Sequence, residues 1–536
     1  MDKKESRELK RIERSKLNTT VALVTNIIMG VLSFAERTVF NQFFIEDYLG
    51  LYSFNNNIIY ILSFFELGLS TAVAYSLYEP LELGQRDRIA AIMSFFRKAY
   101  IIIGVLILTS GILILPVLPL LIKTSVPMSN VRLYFILFLL GNVSSYFINY
   151  RNILLNADQA QYRITLVTNM SWTVLYALDI VIAVTTRNFL LYSISILAVS
   201  LVKNIILNRI TSREFPYLKE KRYKTKLDGD TKDKIIRNTK GLIATRLGIA
   251  MVTCTDSLLI SALVGTNVLG KYSNYQMLTT GLMTLAVMLP QSITASIGNA
   301  GVTESKRTMS RAFSVLDLSS FFIYATLSIL LFNVINPIVA TFFGPTRTLP
   351  FSTVVIICTN FYLQAMRELL LSYKTSLGLY WEDRKRPIAE GLTNLISSII
   401  LGHFWGLNGI LIGTMLTSVC INFVIEPRVI FHHGFGRSAY GFYLSNILRF
   451  ILVVVLSALT HMITSSVSIS TMITGELAIG NFRIGLGSLS EFLFNAVSSL
   501  LITLTVFLLV FGRTESVKVI RETLKKAKGK KKNVSI

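Results

Sequence analysis

The sequence predicts an all-α integral membrane protein of about fourteen transmembrane helices: two pseudo-symmetric six-helix lobes plus two C-terminal helices, N-in/C-in. Three observations carry this expectation. Of 536 residues 52% are hydrophobic and 15% charged, whereas a soluble globular chain carries roughly 25% charged residues. Apolar runs of about 20 residues, enough to cross the hydrocarbon, recur from end to end. Basic residues gather in alternate connections: seven in the first eighteen residues, eleven in 209–240 and nine in 513–536, while the intervening loops hold Lys123, Arg187, Arg347 and Arg483. Basic loops stay on the cytoplasmic side, which places both ends there, in a multi-pass protein of the cytoplasmic (inner) membrane.

In chain order, the basic tail 1–19 leads into a long span rather than a short apolar core with a cleavage site, so no removable signal peptide is expected. The N-lobe, 20–208, takes spans at 20–42, 51–77, 99–122, 131–151, 163–185 and 188–208. Between the second and third, Arg86, Arg88, Arg97 and Lys98 surround Ile89, Ile92, Met93, Phe95 and Phe96, the mixture expected of an amphipathic helix on the membrane surface. The basic linker 209–240 follows. The C-lobe, 241–430, takes spans at 241–264, 271–298, 312–339, 350–373, 387–405 and 408–430, and helices at 446–466 and 490–512 complete the region 446–512 before the basic tail 513–536. That tail, and the net charge of +23, suit anionic headgroups at about 1 kcal/mol per basic residue; the alternation with spans argues against nucleic acid.

An internal repeat supports the two lobes. Leu49, Gly50, Leu51, Tyr52, Ser53 match Leu269, Gly270, Lys271, Tyr272, Ser273 at an offset of 220, as do Thr25 and Thr245, Glu36 and Asp256, Ser76 and Ser296; Thr168 and Asn169 match Thr393 and Asn394 at 225. Six helices per repeat make the repeats parallel, the arrangement that opens a central cleft to one side at a time. The stretch Gly265 to Lys271 is most of a phosphate-binding P-loop, but Tyr272 stands where Ser or Thr is needed, so no nucleotide site is expected.

Charges within spans cost about 2.5–3.5 kcal/mol each and so face a bundle interior or a wet cavity. Candidate substrate-binding residues are Arg37 and Asn26 on the first helix, Arg246 on its repeat mate, and Arg151, Arg367 and Lys374. Arg37 and Arg246 fall on equivalent stripes about 16 Å apart in depth, a two-stage anion relay; pairing of Arg37 with Glu36 and snorkelling of either arginine are the alternatives. Glu36, Glu66, Asp179 and Asp256 are candidates for coupling to H⁺ or Na⁺, or for neutralising nearby arginines. Cys254, Cys358 and Cys420 lie in apolar spans and read as core residues, and the four histidines show no ligand spacing, so neither a metal nor a cofactor is expected. The longest outer loop, 467–489, offers only Glu476 and Arg483 as charged groups, too little for an enzyme site.

The stretches DSLLISALVGTNVLGKYSNYQML (256–278), RPIAEGLTNLISSIILGHFWGLNGILIGT (386–414) and RDRIAAIMSFFRKAYIIIG (86–104) resemble bacterial polysaccharide repeat-unit flippases of the multidrug/oligosaccharidyl-lipid/polysaccharide exporter superfamily. The resemblance runs over nearly the whole chain in diffuse packing and turn patterns. It implies movement of an undecaprenyl-diphosphate-linked oligosaccharide between leaflets for cell-surface polysaccharide biosynthesis, with a polysaccharide polymerase and glycosyltransferases as partners. Arginines would replace the hydration of the diphosphate with charge-assisted hydrogen bonds. Two other readings share the physics: a cation-coupled multidrug exporter, which favours cavity acids and aromatics, and a flippase for the peptidoglycan precursor lipid II.

Overall fold

The predicted first span, 20–42, lies within a continuous helix α1, Lys3–Phe43. The structure is a computed structural model that describes residues 3–66, 68–219, 227–237, 239, 254–466, 476–479, 482–514 and 517–518. Among these, ten helices are long and apolar enough to cross a membrane, or eleven with one bent pair.

That bent pair is the predicted span 51–77. It is broken into α2, Glu46–Leu62, with a 3-10 turn to Glu66, and α3, Leu69–Leu83, set at 47°. Gly68 at φ +82° makes the break, a conformation that a Cβ disfavours. The amphipathic stretch at 86–98 is not a separate surface helix. It forms the first turns of α4, Arg86–Ile114, with Ile89, Ile92, Met93 and Phe96 buried. Predicted to run to 122, this helix stops where Pro116 and Pro119 remove backbone donors.

The first of two units, Met1–Gly270, continues with α5, Met128–Ile148, α6, Gln161–Thr185, and α7, Phe189–Glu214. Asn188 caps α7, its Oδ1 accepting from the N–H groups of Leu190 and Leu191 at 2.9 and 3.4 Å. α1 packs on α6, α6 on α7, α7 on α5 and α5 on α4. Rings seal one level of this unit: Phe40 meets Tyr192 edge-on at 5.3 Å and Tyr48 stacks on Phe189 at 4.4 Å, each pair worth about 0.5–1.5 kcal/mol beyond its buried area.

The sequence repeat has a direct structural counterpart. α8, Thr266–Thr303, begins against the first turns of α2. A Cβ placed on Gly50 would lie 1.9 Å from the carbonyl oxygen of Thr266, and one on Gly270 would lie 2.1 Å from that of Glu46. Since Glu46 and Thr266 are themselves 220 apart, the contact maps onto itself under the repeat. Asp47 locks the same place, accepting from Thr124 Oγ1 and Ser125 Oγ, both at 2.9 Å, and from Thr266 Oγ1. The glycines of the P-loop-like stretch thus serve a turn, with Gly265 at φ +133°, and a helix crossing. Asp47→Ala, which strands three hydroxyl donors, is expected to cost about 2 kcal/mol, read as a lower melting temperature of the purified chain in detergent. Unchanged melting would remove Asp47 from this role.

The second unit, Lys271–Ile536, contains α9, Lys306–Ile338, capped by Ser305, then α10, Phe351–Ser376, and the apolar stretch Arg386–Gly434. This stretch is a helical hairpin rather than one long helix. Gly406, at φ 55° and ψ −130°, reverses the chain between α11 (386–405) and α12 (407–434). Across the seam Ser398 Oγ donates to the Ile410 carbonyl at 3.1 Å and Asn394 Nδ2 to Thr414 Oγ1 at 3.0 Å. Gly409 and Gly413 leave no room for a Cβ against Leu401 and Ser398, the small-residue route to close helix approach in lipid. The predicted spans 387–405 and 408–430 are these two arms.

α13, Tyr440–Ser465, and α14, Leu486–Phe511, follow. Part of the loop predicted between them forms an antiparallel ribbon, β1, Glu476–Ile479, with β2, Phe482–Gly485. α9 contacts α10, α13 and α14. Phe313, Tyr373, Phe431 and Phe435 form its aromatic core. Cys254 and Cys358 are buried, whereas Cys420, expected in the core, is exposed. It lies in a π turn, Ser418–Asn422, in which Asn422 is the buried residue.

Candidate functional site

In the first unit two of the embedded acids, Glu36 and Asp179, meet one face of α7. Glu36, buried on α1, accepts the Tyr192 hydroxyl at 2.8 Å, and Asp179, buried on α6, accepts the Ser195 hydroxyl at 2.5 Å. Tyr192 and Ser195 are three residues apart and so share a helix face. Arg37 is half-buried beside Glu36, and its carbonyl accepts from Asn41 Nδ2 at 2.8 Å. About 15 Å along α1, Asn26 Oδ1 accepts from Asn169 Nδ2 at 2.9 Å, and the same amide donates to Thr25 at 2.7 Å. Asn169 is one half of the Thr-Asn repeat; its mate Asn394 closes the α11–α12 hairpin. Asp256 sits in the short helix Thr255–Leu259, which contacts α2. Arg246 lies outside the described residues.

A second cluster joins two other predicted residues. Glu66 ends the 3-10 turn after α2 and accepts the Tyr100 hydroxyl of α4 at 2.7 Å. Both line a cavity of about 290 Å³ with Tyr146, Asn149, Tyr150 and Asn156. Arg151 stands beside it: its guanidinium is 5.5 Å from the centre of the Tyr150 ring, with Nε donating to Tyr150 Oη at 3.1 Å and Nη1 to Ser212 at 2.6 Å. Arg97 approaches the same ring at 6.0 Å. The Oδ1 of Asn149 is buried with no donor in range, an acceptor left over for a hydroxyl or water. Stacking rings, side-chain amides, one carboxylate and two flanking cations are the groups that hold a polyhydroxylated, anionic molecule.

In the second unit Arg367 and Lys374 are met by carboxylates. Arg367 Nη1 and Nη2 donate to Glu390 of α11 at 2.7 and 3.0 Å, while its Nε and Nη2 donate to Glu426 of α12 at 2.9 and 2.8 Å. Arg386 bonds Asp383 at 2.9 Å, Glu390, and Asn422 at 3.0 Å; Lys374 donates to Asp383 at 2.7 Å. Sequence reasoning missed Glu390, Glu426, Asp383 and Arg386. The available signal was an acid inside each arm of the hairpin, since an embedded acid calls for a cation. A separate pair, Arg449 with Asp317 at 2.5 Å, ties α13 to α9. Among the described residues no group of His, Cys, Asp and Glu could hold a metal; His461 instead stacks on Phe351 at 5.0 Å.

No family model matches the chain, and no curated protein does either. Solved structures do match. Lipid II flippase MurJ, in an inward closed conformation, superposes with a TM-score of 0.60 at 12% identity, covering 91% of this chain and 99% of that one. An inward-facing multidrug resistance MATE family transporter of the MOP superfamily gives 0.54 at 16% identity, covering 76% and 98%. The shared property at such identities is the fold: an all-α, multi-pass membrane architecture.

Proposed function

We propose that this chain is a lipid-linked oligosaccharide flippase: it carries undecaprenyl-diphosphate-linked oligosaccharide from the inner to the outer leaflet of the cytoplasmic membrane by alternating access, for cell-surface polysaccharide biosynthesis. The observation that carries this reading is the cavity of Glu66, Tyr100, Asn149 and Tyr150 flanked by Arg97 and Arg151. Sugars offer hydroxyls to amides and apolar ring faces to tyrosines, and the diphosphate offers charge to guanidiniums. Arg37, with Asn26 on its stripe, and Arg246, which lies outside the described residues, are the further candidates for the anionic group. Glu36 and Asp179, brought to one face of α7, are the groups on which H⁺ or Na⁺ would act.

That same acid pair favours a second reading, a cation-coupled multidrug exporter. One experiment separates them. A capsule- or O-antigen-producing strain lacking its flippase receives the wild type, Arg151→Ala or Tyr150→Ala, with membrane levels of each checked. The wild type is expected to restore surface polysaccharide, and either variant to cut export at least about tenfold, the worth of one lost charge-assisted contact. Resistance to cationic dyes without restored polysaccharide would move the assignment to drug export. Rescue of cells depleted of their peptidoglycan-precursor flippase would move it to lipid II.

A further inference from the structure

The cations of the second unit differ in what surrounds them. Arg367, Lys374, Arg386 and Arg449 each have a carboxylate at hydrogen-bond distance. Arg428 and Arg437, both exposed, have none in ion-pair range among the described residues, and both line one cavity of about 590 Å³ where α12 ends and α13 begins. No acidic residue lines it; His432, Ser438, Tyr440 and Tyr443 complete the polar wall. Arg437 is held over the Phe431 ring at 5.0 Å, and the Tyr443 hydroxyl donates to the Val424 carbonyl at 2.6 Å, so the lining is braced by the two helices themselves.

The surroundings are built for chains. Farther along the same two helices, about 10–15 Å by residue count, lies a cavity of about 400 Å³ walled mainly by apolar side chains, among them Leu416, Val419, Phe423, Ile447 and Phe450, with Arg367 and Glu426 also on its wall. Outside it Tyr440, Leu444, Leu448 and Ile451 form an exposed stripe on α13. A cationic end lined by no acid, with a mainly apolar cavity farther along the same two helices, matches an anionic headgroup attached to acyl chains.

We propose that the α12–α13 seam binds an anionic glycerophospholipid, its phosphodiester held by Arg428 and Arg437 and a chain laid along the apolar part. This lipid is distinct from the transported substrate, and the site stands whether or not the flippase reading holds. The test uses the purified, delipidated full chain and native mass spectrometry with phosphatidylglycerol or phosphatidylcholine of identical chains. The wild type is expected to prefer phosphatidylglycerol, and Arg428→Gln/Arg437→Gln to bind it roughly 30-fold more weakly, at about 1 kcal/mol per basic residue, with phosphatidylcholine, whose trimethylammonium group offsets the phosphate charge, losing much less. Equal phosphatidylglycerol binding by wild type and double variant overturns the proposal. So does displacement of the lipid by 10 mM inorganic phosphate, which would make this a free-anion site. Should the glutamine variant aggregate, the lysine pair and a salt series on the wild type decide. Retained preference with lysine and its loss as salt rises support the site; a salt-independent preference overturns it.

Discussion

Gly270→Val is expected to destabilise the protein by about 3 kcal/mol or more and to abolish transport in the complementation assay, an overpacking cost at the upper end of its usual range. Real Cβ atoms essentially never come within 3.0 Å of a neighbour, and here the neighbour at 2.1 Å is the backbone carbonyl of Glu46. Backbone cannot rotate aside as a long side chain does. The first turn of α8 must therefore move off α2, stretching the bonds of Asp47 to Thr266 and of the Lys123 carbonyl to the Thr266 N–H at 2.8 Å. Because the contact maps onto itself, Gly50→Val should act alike, and the double variant should cost much less than the sum, since the first valine already opens the crossing. Thermal melting of the three variants checks this. Wild-type melting of Gly270→Val, or full additivity, would refute the close crossing.

Arg367→Ala should be the most damaging charge deletion in the second unit, at about 3 kcal/mol, because it leaves two buried carboxylates with Arg386 alone between them. Glu426 is 1% exposed, and Arg367 bridges it to Glu390, so one guanidinium joins α10 to both arms of the hairpin. Arg367→Lys keeps the charge but loses the two-carboxylate fork, and should fall between alanine and wild type. Low expression and low melting temperature, with transport falling in proportion to the protein present, are the expected results. Normal melting with transport lost would instead assign Arg367 to the substrate path.

Much of this was legible in the sequence for reasons that can be named. Gly50 and Gly270 emerged because they sit at matching positions of a repeat, and a repeat kept in register across glycines marks a position where bulk is forbidden. The hairpin was legible because an apolar run of double length must reverse, and its arms meet within a residue or so of Gly406. The break in the span 51–77 was missed, although Gly68 was its only warning, because hydropathy continues unchanged across it. Glu36, Asp179 and Glu66 could be chosen as embedded acids, but their tyrosine and serine partners lie on other helices with no spacing to find them by. The Arg367 network was hidden for the same reason: Glu390 and Glu426 are brought together by the hairpin, not by periodicity. The unopposed arginines of the α12–α13 seam could be recognised only once the partners of the other cations were known.

The network around Arg367 has an electrical consequence. Arg367, Lys374 and Arg386 are matched in number by Asp383, Glu390 and Glu426. A single charge carried across the membrane is worth about 2.3 kcal/mol per 100 mV, but a block of three cations and three anions carries none. That part of the chain can shift as a body without doing work against the resting voltage. Any voltage sensitivity of the proposed transport must then come from charges outside that block.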